Sequence, residues 1–143
     1  MLKREDVIGH RIKSIVADTT LTDGALNFAD FVCELDNGVA FRLPYDDESD
    51  DWFGAVELSM NHEPISFPRK QWWHYSRRLW WATVSDVLVP ADPDLRYPDS
   101  ARVALSSGWF LAQMSGAPTG ILPCIDIMPE LNAEDPMVTI WSC

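Results

Sequence analysis

Hydrophobic positions along this chain alternate over short runs instead of recurring at helical spacing, which predicts a mainly β protein. After a polar stretch at residues 2–7, compatible with a short helical lead-in, Ile8 and Gly9 open the alternation His10, Ile12, Ser14, Val16 of a first strand. Asp18 to Gly24 reads as a turn. Phe31, Cys33 and Leu35 then alternate with Asp30, Val32 and Glu34, and Asp36-Asn37-Gly38 separates them from Val39, Phe41 and Leu43, a hairpin signature. A two-residue loop would pair Glu34 with Phe41 and put acids on the apolar face. The register therefore calls for a three-residue loop with Gly38 in the left-handed position, so that Leu35 faces Val39, Cys33 faces Phe41 and Phe31 faces Leu43. Asp30, Val32, Glu34, Ala40 and Arg42 are left on a face suited to solvent or a wet interface.

Pro44 ends that strand, and the dense acidic stretch Tyr45 to Asp51 reads as a solvated loop. Val56, Leu58 and Met60 alternate as a third strand, and Asn61 to Pro68 reads as a connector. Residues 69–78 suit a helix of two to three turns that lines up Trp73, Arg77 and Trp80. Thr83 to Val89 is strand-like up to Pro90, and Ala91 to Ser100 is a loop. A second hairpin follows, Ala101 to Leu105 and Trp109 to Gln113 around Ser106-Ser107-Gly108, with Leu105 opposite Trp109 and Val103 opposite Leu111. Ile121 to Met128 and Met137 to Trp141 read as the last two strands, with a loop from Pro129 to Pro136 between them.

The two halves of the chain resemble each other in pattern. Ile12-x-x-Ile15-Val16 corresponds to Val84-x-x-Val87-Leu88 and Leu35-x-x-Gly38 to Leu105-x-x-Gly108, at offsets of about 72 and about 70 residues. Each unit has one apolar face and no partner for it, so packing the units together is the economical solution. The expected fold is mainly β (α+β): an antiparallel β-sandwich or roll from two tandem strand-hairpin-strand half-repeats, residues 1–70 and 71–143, with one short crossover helix, all in a single domain. On that arrangement Trp80, Trp81, Trp109 and Trp141 are largely filler of the core and of the interface between units, while Trp72 and Trp73 stay partly exposed.

Length and charge narrow the functional classes. The 143 residues suffice for one core, and the 47% hydrophobic and 23% charged content is that of a globular protein. The formal net charge of −11 disfavours nucleic acid and favours steering of a basic partner. Cys33, Cys124 and Cys143 are too few and too scattered for a disulfide framework or a zinc site. No hydrophobic run is long enough to cross a bilayer, and the start of the chain has no apolar signal region, so a cytoplasmic protein is expected.

No catalytic or cofactor signature is present. The histidines His10, His62 and His74 lie far apart, and Asn61-His62-Glu63-Pro64 lacks the second histidine of a zinc-protease helix. The turn chemistry of Ser106-Ser107-Gly108 explains those serines without a nucleophile elbow. The acidic run lacks the glycine and the final glutamate of a calcium loop. We therefore expect no enzyme activity, no metal and no cofactor. Two stretches remain as candidates for partner binding. One is the acidic run Asp46, Asp47, Glu48, Asp50 and Asp51 with the adjoining Trp52, a surface on which a basic partner could dock. The other is Trp72, Trp73, Arg77 and Arg78, because Trp and Arg are the usual anchors of protein interfaces. The same block is compatible with core packing, its arginines pairing to the acidic loop.

The pattern Ile8-Gly9, Ile12, Ile15-Val16 followed by Leu35-Asp36-Asn37-Gly38, in a small acidic chain with seven tryptophans, resembles the immunity proteins of bacterial toxin systems. What the resemblance implies is a non-enzymatic protein that binds one toxin domain, often a basic nuclease, and blocks its active site. The alternative is a small-molecule-binding β-domain with an aromatic cleft near Trp72, Trp73 and Trp109. A homodimer is compatible with either reading.

Overall fold

The spacing Ile12-x-x-Ile15 sets the geometry of the first sheet, because it departs from strict alternation. The computed structural model describes residues 1–18, 31–44, 52–58, 62–64, 76–97, 100–113, 125–131, 133 and 135–142. In it a short helix α1 (Arg4–Val7) precedes β1 (Ile12–Asp18), which pairs antiparallel with β2 (Phe31–Leu35). Ile12 lies opposite Leu35 but Ser14 opposite Glu34, so a β-bulge inserts one residue at Lys13. The bulge shifts the alternation by one. Ile12 and Ile15 both enter the main core, Ser14 Oγ donates to Glu34 at 2.9 Å, and Val16 enters a second apolar cluster. The simple alternation Ile12, Ser14, Val16 expected from the sequence is thereby corrected.

The first hairpin has the expected register. In β3 (Ala40–Arg42), Phe41 lies opposite Cys33 and Ala40 opposite Glu34. The loop closes through Leu35 N to Val39 O at 2.8 Å and Gly38 N to Leu35 O at 3.0 Å. Gly38 has φ +87°, a conformation in which any Cβ is strained, which explains the glycine. The outer face of this hairpin is not left to solvent as its composition suggested. Val32 and Ala40 are buried there with Val16, beneath Val56 and Leu58. The segment carrying Val56 and Leu58 is anchored by Val56 N donating to Ala40 O at 2.8 Å. Residues 54–58 are consequently a covering segment and not the expected third strand. The strand that does pair with β1 is β4 (His62–Pro64), within the stretch read as a connector.

In the second half a π-helical turn (Ser76–Trp80) leads into β5 (Val84–Pro90), followed by a 3-10 turn (Pro93–Leu95), β6 (Arg102–Leu105), β7 (Phe110–Gln113), β8 (Ile125–Met128), β9 (Met137–Thr139) and a closing 3-10 turn (Ile140–Ser142). The expected helix over 69–78 is described only from residue 76, where it is a π-turn; its remainder lies outside the described residues. Many local bonds of the first half recur here. β5 is bulged between Val84 and Asp86, and Val84 and Val87 both enter the core. Leu105 N donates to Trp109 O at 2.9 Å, Gly108 N to Leu105 O at 2.9 Å, and Gly108 has φ +86°. Each hairpin turn is tied to its preceding helical turn, by Asn37 Nδ2 to Asp6 O at 3.0 Å and by Ser107 Oγ to Arg78 O at 2.8 Å.

The protein is mostly β, with two antiparallel sheets of order β3-β2-β1-β4 and β8-β7-β6-β5-β9. An isolated antiparallel bridge between Arg11 and Thr83 links the entries of β1 and β5, beside Gly9 N to Val84 O and Val84 N to His10 O, both 2.8 Å. One hydrophobic cluster draws on both sheets, including Ile12, Ile15, Leu35 and Phe41 from the first and Val84, Val87, Val103 and Leu111 from the second. Aromatic rings extend it toward both ends of the chain. Phe41 meets Phe53 edge to face at 5.3 Å, Phe53 meets Trp141 at 5.9 Å, and Trp141 Nε1 donates to Leu2 O at 2.9 Å.

Two outcomes follow for stability. Phe41→Ala opens a cavity where both sheets meet and should lower unfolding free energy by about 3–5 kcal/mol in urea titrations. Gly38→Ala and Gly108→Ala should each destabilise by about 1 kcal/mol and by similar amounts, because both turns demand the same left-handed backbone.

Candidate functional site

The tryptophan-rich block at the middle of the chain ends in the π-turn, and the burial of its residues follows from the strand that it enters. Ala82 is 2% exposed and faces inward, Trp80 packs against the core, and Trp81 between them is 74% exposed. Trp80, Trp109 and Trp141 are partly buried against the core as expected. The placement of Trp81 as core filler is corrected: alternation at the start of β5 turns its side chain outward. The signal lay in Ala82, whose small inward side chain fixes the parity of its neighbours.

Arg78 lies over the Trp109 ring at 4.3 Å from the centroid, a cation–π stack across the mouth of the second hairpin. The turn beneath is further held by Ser106 Oγ, which accepts from Thr83 N at 2.9 Å, and by Ala82 N donating to Leu79 O at 3.2 Å. A second stack places Arg96 over Trp52 at 5.1 Å. Trp52 packs against the main core, so it is at most a partly available contact. Of the residues expected to bind a partner, Trp52 and Arg78 are therefore engaged in stacks on different parts of the surface. Arg77 lies in the π-turn, with its side chain outside the described set. Asp46, Asp47, Glu48, Asp50, Asp51, Trp72 and Trp73 lie outside the described residues.

At the entry to β1, His10 Nδ1 lies 3.0 Å from Asp36 Oδ1. Asp36 N donates to Arg11 O at 2.9 Å, which fixes the turn at the strand end. The hydrogen bond from His10 holds the Asp36 carboxyl below its ordinary value against an opposing cost of desolvation, helped by the backbone amide of Arg11 and the positive charges of His10 and Arg11. Elsewhere, Asp86 Oδ1 accepts from Thr139 Oγ1 at 2.7 Å and from Val87 N at 2.8 Å, a structural use of a half-buried carboxylate at the β5 bulge. Cys33 is fully buried, and desolvation raises its thiol pKa far above the usual range. It is an inert filler.

Among the described residues no group of three or more His, Cys, Asp or Glu side chains is arranged to hold a metal, and no helix is long and apolar enough to cross a membrane. Comparison with known proteins finds no protein-family model, no curated protein and no solved structure that matches this chain.

The His10–Asp36 pair carries a pH signature. Asp36 has a depressed folded pKa, so its contribution to stability is present above the ordinary carboxylate range and is lost as pH falls through the lowered value. Asp36→Asn should therefore flatten the acid limb of a stability profile taken between about pH 6 and about pH 2. Urea midpoints across that range measure it.

Proposed function

We propose that this chain is a non-enzymatic partner-binding protein of the immunity type, which neutralises a cognate toxin domain in the cytoplasm. The observation that carries this reading is the formal net charge of −11, concentrated in part in the run Asp46 to Asp51. A dense carboxylate cluster imitates a phosphate backbone and steers a basic nuclease from a distance, while Trp and Arg side chains supply contact energy. Asp46, Asp47, Glu48, Asp50, Asp51 and Trp52 form the steering surface on this view, and Trp72, Trp73, Arg77 and Arg78 the contact surface.

The scaffold we propose for it is a β-sandwich of two tandem half-repeats, residues 1–70 and 71–143. Support comes from the paired bulges, the paired left-handed glycines, the paired turn tethers and the pairing of β4 on β1 and of β9 on β5. The Arg11–Thr83 bridge adds a further argument. These two positions are equivalents at the offset of about 72 residues, and two equivalents bridge each other antiparallel when the units are related by a local two-fold axis.

Co-expression with any candidate toxin domain encoded by a neighbouring gene tests the function. The expected result is a stoichiometric complex and restored growth. Replacing Asp46, Asp47, Glu48, Asp50 and Asp51 with Asn or Gln should slow association roughly tenfold or more at low salt and flatten its salt dependence. An association rate indifferent to both the substitutions and salt would refute the steering role. A chain that binds no toxin domain and purifies with a stoichiometric small molecule would instead favour a ligand-binding β-domain.

A further inference from the structure

We propose that the outward face at the Arg11–Thr83 bridge, built from Trp81, Lys13 and Arg11, is a second docking surface that takes an acidic segment of a partner protein. This goes beyond the steering of a basic partner and concerns a different part of the surface. Burial defines the face. Ile12 and Ala82 are 1% and 2% exposed, whereas Arg11, Lys13 and Trp81 are exposed, so alternation on both strands sends these three outward on one side. Lys13 and Trp81 each lie two residues along the chain from a member of this bridge.

Three observations point to binding. First, Trp81 is one of three exposed large hydrophobic residues among those described, with Met1 and Tyr97, and a tryptophan left at 74% exposure lies well outside the usual burial of that side chain. Second, its backbone is held before any partner arrives. The Ala82–Leu79 bond, the Thr83–Ser106 bond, the Ser107–Arg78 tether and the Arg78–Trp109 stack all brace the residues around it. A rigid aromatic anchor loses little entropy on binding. A π-turn at its base is a geometry often found at functional sites.

Third, charge on these segments runs against that of the whole molecule. Stretches 7–17 and 76–85 carry Arg11, Lys13, Arg77 and Arg78 and no Asp or Glu. The bridge joins the two stretches. Two acids adjoin these strands and both have partners: Asp36, beside Arg11, is engaged by His10, and Glu34 accepts from Ser14 Oγ at 2.9 Å. With a screening length of about 8 Å at physiological salt, contact chemistry is decided by the exposed Arg11 and Lys13 and not by the distant acids. The segment recognised is therefore one with carboxylates for Arg11 and Lys13 and an apolar side chain for the indole.

The comparison of the two halves, which rests on the proposed repeat, sharpens the choice. The equivalents of Trp81, Arg11 and Lys13 are Gly9, Thr83 and Ser85, all small or uncharged, while the buried equivalents Val7 and Leu79, Ile12 and Val84, and Ile15 and Val87 are all apolar. Packing demands the shared residues. It does not demand the divergent ones, which gather on this one face.

The test uses the intact protein and three labelled probes: a decaglutamate peptide with a central phenylalanine, a decalysine peptide and a ten-nucleotide thymidine strand. Fluorescence anisotropy should show salt-sensitive binding of the acidic peptide. Trp81→Ala should weaken it on the order of tenfold, and Lys13→Glu should weaken it and reduce its salt dependence. Tyr97→Ala, which removes the other exposed ring, should leave it unchanged. No binding of the acidic peptide, binding indifferent to Trp81→Ala, or competition by the thymidine strand at equal concentration would overturn the proposal. So would sedimentation showing a dimer that Trp81→Ala dissolves, since a second copy would then be the occupant. The steering of a basic toxin domain by the acidic run is read separately, because none of these substitutions touches that run.

Discussion

A small antiparallel sheet with one apolar face cannot be stable alone, and every other feature of this protein follows from how that face is covered. Ile12, Ile15, Cys33, Leu35 and Phe41 from the first sheet and Val84, Val87, Val103, Leu105 and Leu111 from the second share a single cluster. The β-bulges are what make this possible. Without the inserted residue at Lys13, Ile12 and Ile15 would lie on opposite faces, and the first sheet would offer the core only half of its first strand. The same holds for Val84 and Val87 in β5. A three-residue spacing that looks irregular for a strand is thus the condition for the core. The aromatic series Phe41, Phe53 and Trp141, with Trp141 bonded to Leu2, then closes the two ends of the chain over that cluster.

The parts of the fold that could be read from the residues are those set by local chemistry. The first hairpin's loop and register follow from keeping Glu34 off the apolar face and the second's from the same three-residue loop ending in glycine, and Cys33 opposite Phe41 and Val103 opposite Leu111 agree with them. What could not be read depends on contacts distant in sequence. Val32 and Ala40 look like members of a solvent face until Val56 and Leu58 are laid over them, and nothing local in His62-Glu63-Pro64 announces a strand that pairs with β1. Trp81 is an intermediate case. Its neighbours Trp80 and Ala82 contain the parity that exposes it, but a run of two tryptophans reads most simply as core. The acidic run and the pair Trp72 and Trp73, on which the sequence-based expectation of a binding surface largely rested, lie outside the described residues, so the described site is the basic and aromatic end of that block.

Charge and packing act on different length scales here, and this separates two kinds of recognition. The net charge of −11 is felt at distances where individual residues blur, and it governs which molecules approach. Contact energy is set within a few ångströms, where Arg78 stacks on Trp109 and the exposed Arg11 and Lys13 flank the buried Ile12. An acidic protein with a basic, tryptophan-bearing face can attract a basic molecule and still discriminate by an acidic segment upon it. Both surfaces could then serve one partner of mixed charge, with the approach and the final register controlled by different residues.

The proposed two-fold relation between the halves bears on why such a face sits where it does. A position on a local two-fold axis meets its own equivalent, as Arg11 meets Thr83, and a single substitution in one half changes the surface once and not twice. Buried equivalents are held to apolar residues by the shared core, as Val7 and Leu79 or Ile15 and Val87 are. Exposed ones are free to diverge, and a junction between units collects side chains from both. Gly9 has φ +84°, a backbone conformation that favours glycine, and its amide donates to the Val84 carbonyl at 2.8 Å. At the equivalent place on the other side of the axis stands Trp81, where the side chain that Gly9 lacks is free to project outward. On the proposed relation, a binding face at the seam would be asymmetric while the buried equivalents beneath it stay apolar.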